Sequence, residues 1–275
     1  MWLSFSGNQK AFYLYRRFTR MEVFSPRQNS ILALAGKQGR VDVEELSLSF
    51  QVSPQTIRKD LNNLCNRQLL QRVHGGAIVG SGIVNVSYEA RRLLAPLAKK
   101  AIGQKAAALI PDNSSLLINI GTTTEQVAHA LQNHRGLLVI TNNINAVDIM
   151  KDFPGIKMII AGGLVRRSDG GIVGVAAVDF INQFKVDYAV IGVSAIDEDG
   201  SLLDFDFREV RVAQAIIANA RHVILVADTA KLERTAPIRI SHISQISTIV
   251  TNTALPEKLG KICSNNDVRI AVAVE

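Results

Sequence analysis

From Ala98 to the C-terminus, short runs of branched aliphatic residues alternate with stretches of helical periodicity. Residues 116–120, 137–141, 157–161, 188–193, 223–227, 248–251 and 269–272 read as strands, and 99–110, 145–150, 176–183, 209–219 and 257–263 as helices. Strands separated by crossover helices pair in parallel, and a parallel sheet needs cover on both faces. The pattern therefore predicts an α/β domain with a mostly parallel sheet over residues 98–275. Hydrophobic residues make up 47% of the chain but aromatics only 5%, so that core must be built mainly of Ile, Val, Leu and Ala.

The first third follows different rules. From Pro26 it reads as helix, helix, helix, hairpin. Ile31, Leu32, Leu34 and Ala35 form one apolar face, and Val43, Leu46 and Phe50 form a second behind an Asp42 cap. Ser53-Pro54 pairs an N-cap with a proline at the first helical position. Ile57, Leu61 and Leu64 then give the buried stripe of a third helix, which leaves Gln55, Thr56, Arg58 and Lys59 off the stripe near its N-terminus. Residues 69–73 alternate like a strand, His74-Gly75-Gly76 turns, and 77–79 returns.

This is the pattern of a winged helix-turn-helix. A recognition helix enters the major groove by its N-terminal end, where Gln pairs with adenine, Arg with guanine, and Ser, Thr and Lys with bases or phosphates. Ser53, Gln55, Thr56, Arg58 and Lys59 are the candidates there, with Arg72 and His74 on the wing. Singly, Arg58-Lys59 reads as well as a solvated helix face, and His74 as a turn residue.

Charge placement agrees. Residues 1–80 hold 11 Lys and Arg against 5 Asp and Glu, whereas 81–275 hold 20 against 19. The basic excess points to nucleic acid or another anionic surface. Residues 1–23 lack the apolar stretch of a secretory signal, and read as a disordered leader or a start placed before Met21. Two cysteines, Cys65 and Cys263, show no metal-ligand spacing and suit a reducing, cytoplasmic setting. No apolar run is long enough to span a bilayer. Residues 24–79 thus form the DNA-binding unit, and 80–97, opening on Gly80-Ser81-Gly82, a linker.

In parallel sheets, ligands bind beyond the carboxyl ends of strands. Gly121-Thr122-Thr123-Thr124 follows one strand and opens a helix, so backbone amides, hydroxyls and the helix dipole converge as a phosphate cradle. A turn with an N-cap is the plainer reading. Asn142-Asn143 and Gly162-Gly163 sit at two further strand ends, suited to sugar hydroxyls and close backbone approach, or to caps and turns. Lys231 is placed to neutralise a phosphate or to be an ordinary surface lysine.

The chain resembles the deoxyribose-operon-repressor (DeoR) family. Val52 to Leu61 carries that family's helix signature and His74 to Ala77 its wing sequence. Ile-Gly-Thr-Thr at 120–123, Thr-Asn-Asn at 141–143, Ala-Gly-Gly at 161–163 and the run 199–211 extend the resemblance over residues 24–275. It implies a sensor domain related in fold to ribose-5-phosphate isomerase. It also implies a repressor of carbohydrate or glycerol-3-phosphate catabolism that acts without a cofactor or metal. Such a repressor is a homo-oligomer on operator DNA, released by a phosphorylated small molecule, with glycerol 3-phosphate the first expectation.

Departures from the family pattern are Asn119, Asp204 and above all Ala213-Gln214, which stand where a Lys-Arg pair is usual. Losing two positive charges near the effector is expected to weaken the response. The alternative reading is a phosphosugar isomerase-like enzyme with an accessory DNA-binding domain. It rests on the acidic run Asp197-Glu198-Asp199-Gly200, which a solvated turn also explains.

Overall fold

The computed structural model describes residues 24–67, 69–78, 87–232 and 234–274. The expectations placed on residues 1–23 and on 80–86 lie outside them.

The N-terminal unit runs α1 (Pro26–Gln38), β1 (Arg40–Asp42), α2 (Val43–Phe50), α3 (Pro54–Asn66), β2 (Gln71–Val73) and β3 (Gly76–Ile78). Its helices start where the side chains can cap them. Ser25 and Gln28 form a reciprocal capping box, the Asp42 carboxylate accepts from Glu44 N at 2.9 Å, and Ser53 Oγ accepts from Thr56 N at 3.3 Å. Gln51 turns the chain between α2 and α3 in the left-handed region, at φ 53°. Ile31, Leu32, Leu46, Ile57, Leu61 and Leu64 pack as one core.

Asp60, buried on α3, accepts from Arg27 Nε at 2.6 Å and from Gln28 Nε2 at 3.2 Å, which fixes α3 against α1. The hairpin is antiparallel, and β1 adds a third strand beside β3. Strand β1, only three residues long, carried no recognisable pattern. Glycine is required at 76 because a Cβ there would lie 2.0 Å from the Val41 carbonyl oxygen.

The segment read as linker, 80–97, needs correcting in its second half. Ser87 caps a helix, α4 (Tyr88–Leu93), and α5 (Pro96–Ala107) starts three residues earlier than the periodicity suggested. Pro96 at the first helical position explains the early start.

The C-terminal domain places β4 (Ser115–Ile118), β5 (Leu137–Thr141), β6 (Ile156–Ile160), β9 (Val186–Ile191), β12 (Ala220–Val226), β14 (Thr248–Thr251) and β15 (Arg269–Val272) in one parallel sheet. The order is β15-β14-β12-β9-β4-β5-β6. Two apolar clusters cover its faces. Helices α6 (Thr122–Ala130), α7 (Ile144–Met150), α8 (Val175–Ile181), α9 (Phe207–Ala218) and α10 (Glu257–Asn265) complete the crossovers. Two small antiparallel sheets went unforeseen: β7 (Leu164–Arg166) with β8 (Gly171–Val173), and β10 (Ala195–Ile196), β11 (Ser201–Asp204) and β13 (Ile238–His242). From β4 the chain winds out to β6 and then back through β9 to β15, so the order reverses between β4 and β9. Open α/β sheets bind ligands at that switch point.

Candidate DNA-binding face and effector cleft

The N-terminal end of α3 presents Gln55, Arg58 and Lys59 to solvent, with Ser53 exposed and Thr56 half-buried. Ser53 Oγ and Thr56 Oγ1 are 2.9 Å apart, so both hydroxyls help to cap the helix. Among the described residues, Arg58 is held by a 3.7 Å ion pair with exposed Glu44, a weak tether. On the wing, Arg72 donates to the Gly76 carbonyl at 2.7 Å and so braces the hairpin, while His74 is exposed. Arg40, whose Nη2 donates to the His74 carbonyl at 3.4 Å, adds a cation the sequence reading did not single out. A lone charge before an unrecognised strand carried no signal. Arg58→Ala is expected to cost operator binding about 1–3 kcal/mol while leaving the melting temperature unchanged. Anisotropy titration and thermal melts check both, and an unchanged affinity in a folded variant removes Arg58 from the face.

In the second domain, the ends of β4, β9 and β12 converge on a small cleft. Ile120, Gly121, Thr122 and Thr123 line one side, Gly192, Val193 and Ser194 another, and Arg91, Asp204, Glu209 and Lys231 complete it. Gly121, at φ 146°, lets the chain swing from β4 into α6. Thr124 Oγ1 lies 2.8 Å from both the Asn119 and Gly121 carbonyls, so its hydroxyl fastens the loop and does not face the cleft.

Asn142, Asn143, Gly162 and Gly163 lie elsewhere. Asn142 Nδ2 donates to the Ile172 carbonyl at 3.0 Å, Asn143 caps α7, and a Cβ on Gly163 would sit 3.1 Å from Ile172. These three dock the β7–β8 hairpin onto the sheet, and Gly162 borders open space. The structure thus gathers Gly121, Thr122, Thr123 and Lys231 at one cleft and leaves the other five candidates outside its lining.

Arg91 and Lys231 line the cleft, and Lys99 and Arg234 lie near enough to act on Lys231. Burial, with Arg234, Lys99 and Arg91 nearby, pushes the Lys231 ammonium down to about 7 despite Asp228. Burial likewise pushes Lys99 down to about 8, against the pull of Asp228. Crowded, desolvated cations gain most from an incoming anion.

Beside this cleft opens a larger cavity of about 480 Å³. Its wall is a network centred on Arg166, whose Nη2 donates to Asp169 at 2.7 Å and Glu209 at 2.5 Å, and whose Nη1 donates to Asp206 at 3.1 Å. Burial opposes the charge on Asp169 and Asp206. Hydrogen bonds from Arg166, and for Asp206 from Arg208 first, outweigh it, holding Asp169 below the usual carboxylate range and Asp206 at about 2. Glu209 goes the other way: burial and the neighbouring Asp204 push it up to about 8 despite Arg166. Sequence reasoning missed Arg91, Arg166, Asp169 and Glu209, because they come from three separate segments and converge only in the fold.

Ala213 and Gln214 lie outside both cavities, so the structure does not put the lost charges beside the effector cleft. Ala213 is fully buried in the sheet domain's core, and Gln214 Nε2 donates to the Ile240 carbonyl at 3.0 Å. The acidic run at 197–200 is an exposed turn, with Asp199 Oδ1 accepting from Ser201 N at 2.8 Å and Gly200 at φ 87°. Among the described residues, no helix is long and apolar enough to cross a membrane.

A winged helix with a polar, basic recognition-helix end, joined to a parallel α/β domain with a cleft at its switch point, defines a transcriptional regulator with an attached sensor. Residues 27–81 match the DeoR-like helix-turn-helix domain and residues 95–253 the DeoR C-terminal sensor domain. The chain belongs to the DeoR family. It is 43% identical to the glycerol-3-phosphate regulon repressor of Escherichia coli K12 over 89% of this chain and 97% of that protein. The repressor of the same name from Haemophilus influenzae is 44% identical over 82% and 89%, and the transcriptional repressor CsqR of E. coli 36% identical over 91% and 96%. With such relatives the chain is a regulator rather than an enzyme. Among solved structures, ribose 5-phosphate isomerase from Plasmodium falciparum matches 49% of this chain and 52% of its own at 16% identity, with a TM-score of 0.36.

Proposed function

We propose that this protein represses genes of glycerol-3-phosphate or related carbohydrate catabolism, and that glycerol 3-phosphate releases it from operator DNA. Ser53, Gln55, Thr56, Arg58 and Lys59 read the major groove, with Arg72 and His74 supporting the wing on the backbone or minor groove. The effector's phosphate docks at Gly121, Thr122 and Thr123 against Lys231. The protein works as a cytoplasmic homo-oligomer, because paired operator half-sites call for a symmetric reader. The observation that carries the reading is the meeting of a helix N-terminus and the depressed Lys231 ammonium at the sheet's switch point. Relatives named for the glycerol-3-phosphate regulon support the choice of effector. The test is anisotropy of labelled operator titrated with glycerol 3-phosphate beside other phosphosugars and inorganic phosphate. Release by glycerol 3-phosphate at the lowest concentration is expected; release by none of them sinks the reading.

The site also predicts a proton linkage. Lys231 titrates at about 7 in the free protein, so near pH 7.5 much of it is neutral. A bound dianion favours the charged ammonium and raises that pKa, so binding takes up protons. Affinity then falls as pH rises from 7 towards the bound-state pKa. Calorimetry at pH 7.5 in buffers of different ionisation enthalpy should show the uptake, and Lys231→Met should remove it. Buffer-independent heats in the wild type would contradict the assignment.

A further inference from the structure

One group lining the effector cleft belongs to an element that also builds the other domain. Arg91 sits on α4, and on that same short segment Ala90 is fully buried and Leu94 is 6% exposed within the winged-helix core. That seat is tight: a Cβ built on Gly36 of α1 would lie 3.2 Å from Leu94 Cδ2. Helix α1 in turn holds the recognition helix through Arg27 and Asp60.

Arg91 reaches the other way, into the sensor domain. Its Nη2 donates to Asp169 Oδ2 at 3.2 Å, while its Nε is buried without a hydrogen-bond partner among the described residues. Its backbone carbonyl accepts from the Lys99 ammonium and, at 3.5 Å, from Thr122 Oγ1. Three residues away, Tyr88 Oη donates to Glu125 at 2.8 Å and accepts from Asn145 Nδ2 at 2.9 Å. The six-residue helix is therefore gripped by both domains.

The cleft itself is nearly shut. Its volume is about 20 Å³, on the scale of one water molecule and too little for a phosphate. Most of its lining is fixed by the ends of buried strands β4, β9 and β12. The Arg91 guanidinium is tethered to the sensor domain chiefly through its ion pair with Asp169, and a guanidinium with an unsatisfied donor prefers a phosphate it can grip with several N–H groups.

We propose that Arg91 is a ligand of the effector's phosphate, and that α4 is the strap through which its movement reaches the DNA-binding domain. The proposal rests on the effector reading given above. An anion entering between Thr122, Lys231 and Arg91 competes with Asp169 for the guanidinium. Drawing Arg91 towards the cleft shifts α4, and with it Ala90 and Leu94 in the seat against α1. Effector binding and the fit of α1 under α3 thereby become alternatives of one two-state element, which is what coupling between distant sites requires.

The test uses the full-length protein, operator DNA that it selects from a random duplex pool, and two probes, glycerol 3-phosphate and inorganic phosphate. Calorimetry reads probe binding, and anisotropy reads the ratio of operator affinities without and with saturating probe. Arg91→Ala is expected to weaken binding of either probe by about tenfold or more, with part of the loss recovered in Arg91→Lys. Leu94→Ala is expected to keep the wild-type probe affinity and to bring the operator-affinity ratio down towards one. Where Leu94→Ala fails to bind operator at all, Tyr88→Phe, which frees the other end of the strap, stands in for it with the same fall in ratio expected. Probe binding that survives Arg91→Ala unchanged overturns the ligand role. A wild-type ratio in the strap variants overturns the transmission. A wild type that binds phosphate but not glycerol 3-phosphate overturns only the choice of effector, and the Arg91 comparison then stands on phosphate. A wild type that binds neither overturns the site and this proposal together.

Discussion

Ala213→Lys is expected to destabilise the sensor domain severely, enough to populate its unfolded state. The resemblance to the family implies a lysine at this position, and on charge alone it should help to hold an anionic effector. The structure reverses that expectation. Ala213 lies on the inner face of α9 between Val212 and Ile216, in the cluster that covers one side of the sheet. A lysine there must either bury an ammonium, at several kcal/mol, or force its way out through packed neighbours, at about 1–3 kcal/mol more. Against a whole-domain stability of about 5–15 kcal/mol, that is enough to populate the unfolded state. Gln214→Arg should be mild by comparison. Gln214 is exposed and loses only its bond to the Ile240 carbonyl, worth about 1 kcal/mol. Thermal melts and gel filtration separate the two. An Ala213→Lys protein that melts with the wild type would mean that α9 sits differently from the geometry described here.

That reversal shows where sequence pattern stops being informative. Periodicity located every strand of the parallel sheet because branched aliphatic runs between helices have few other ways to bury themselves. The capped starts of α2 and α3 were equally plain, since Asp42 and Ser53-Pro54 act on their own helices. The small antiparallel sheets escaped notice because their two- to five-residue strands carry little alternation and lack the crossover helices that set off the strands of the main sheet. Helix α4 was hidden for a related reason. Its six residues read as polar linker, and its two apolar anchors, Ala90 and Leu94, matter only once a second domain offers them a core. In the cleft, local signals found the Gly121 loop and Lys231. The same kind of signal chose Asn142, Asn143 and Gly163, which the fold instead uses to dock the β7–β8 hairpin, and Gly162, which borders open space. Which strand ends face a ligand depends on strand order, and strand order is a long-range property.

Arg166→Met is expected to be the most destabilising change at the cavity itself, and its cost should depend on pH in a particular direction. Arg166 is the shared partner of Asp169, Asp206 and Glu209, with its side chain 18% exposed. Methionine keeps much of the volume but removes the charge. Asp169 retains Arg91 at 3.2 Å, and Asp206 retains Arg208 at 3.0 Å. Glu209, which burial and Asp204 already hold up at about 8, loses the hydrogen bond from Arg166 at neutral pH and below, and the cation beside its carboxylate only as it ionises around pH 8. The first loss typically costs about 1–3 kcal/mol and the second about 3–5 kcal/mol. The variant should escape part of that cost by protonating its carboxylates. Without Arg166, their folded-state pKa values move up, above those of the unfolded chain. A carboxylate with a raised folded pKa leaves the folded state holding more protons than the unfolded one, so stability falls as pH rises through that interval. In the wild type, Asp169 and Asp206 are held low and contribute the opposite slope below about pH 4, leaving only Glu209, at about 8, to erode stability towards alkaline pH. The gap in melting temperature between wild type and Arg166→Met should therefore be smaller near pH 5 than near pH 8. Urea denaturation at the two pH values gives the same comparison as a free energy. A gap that stays constant across that range would show that the three carboxylates do not depend on Arg166 for their charge.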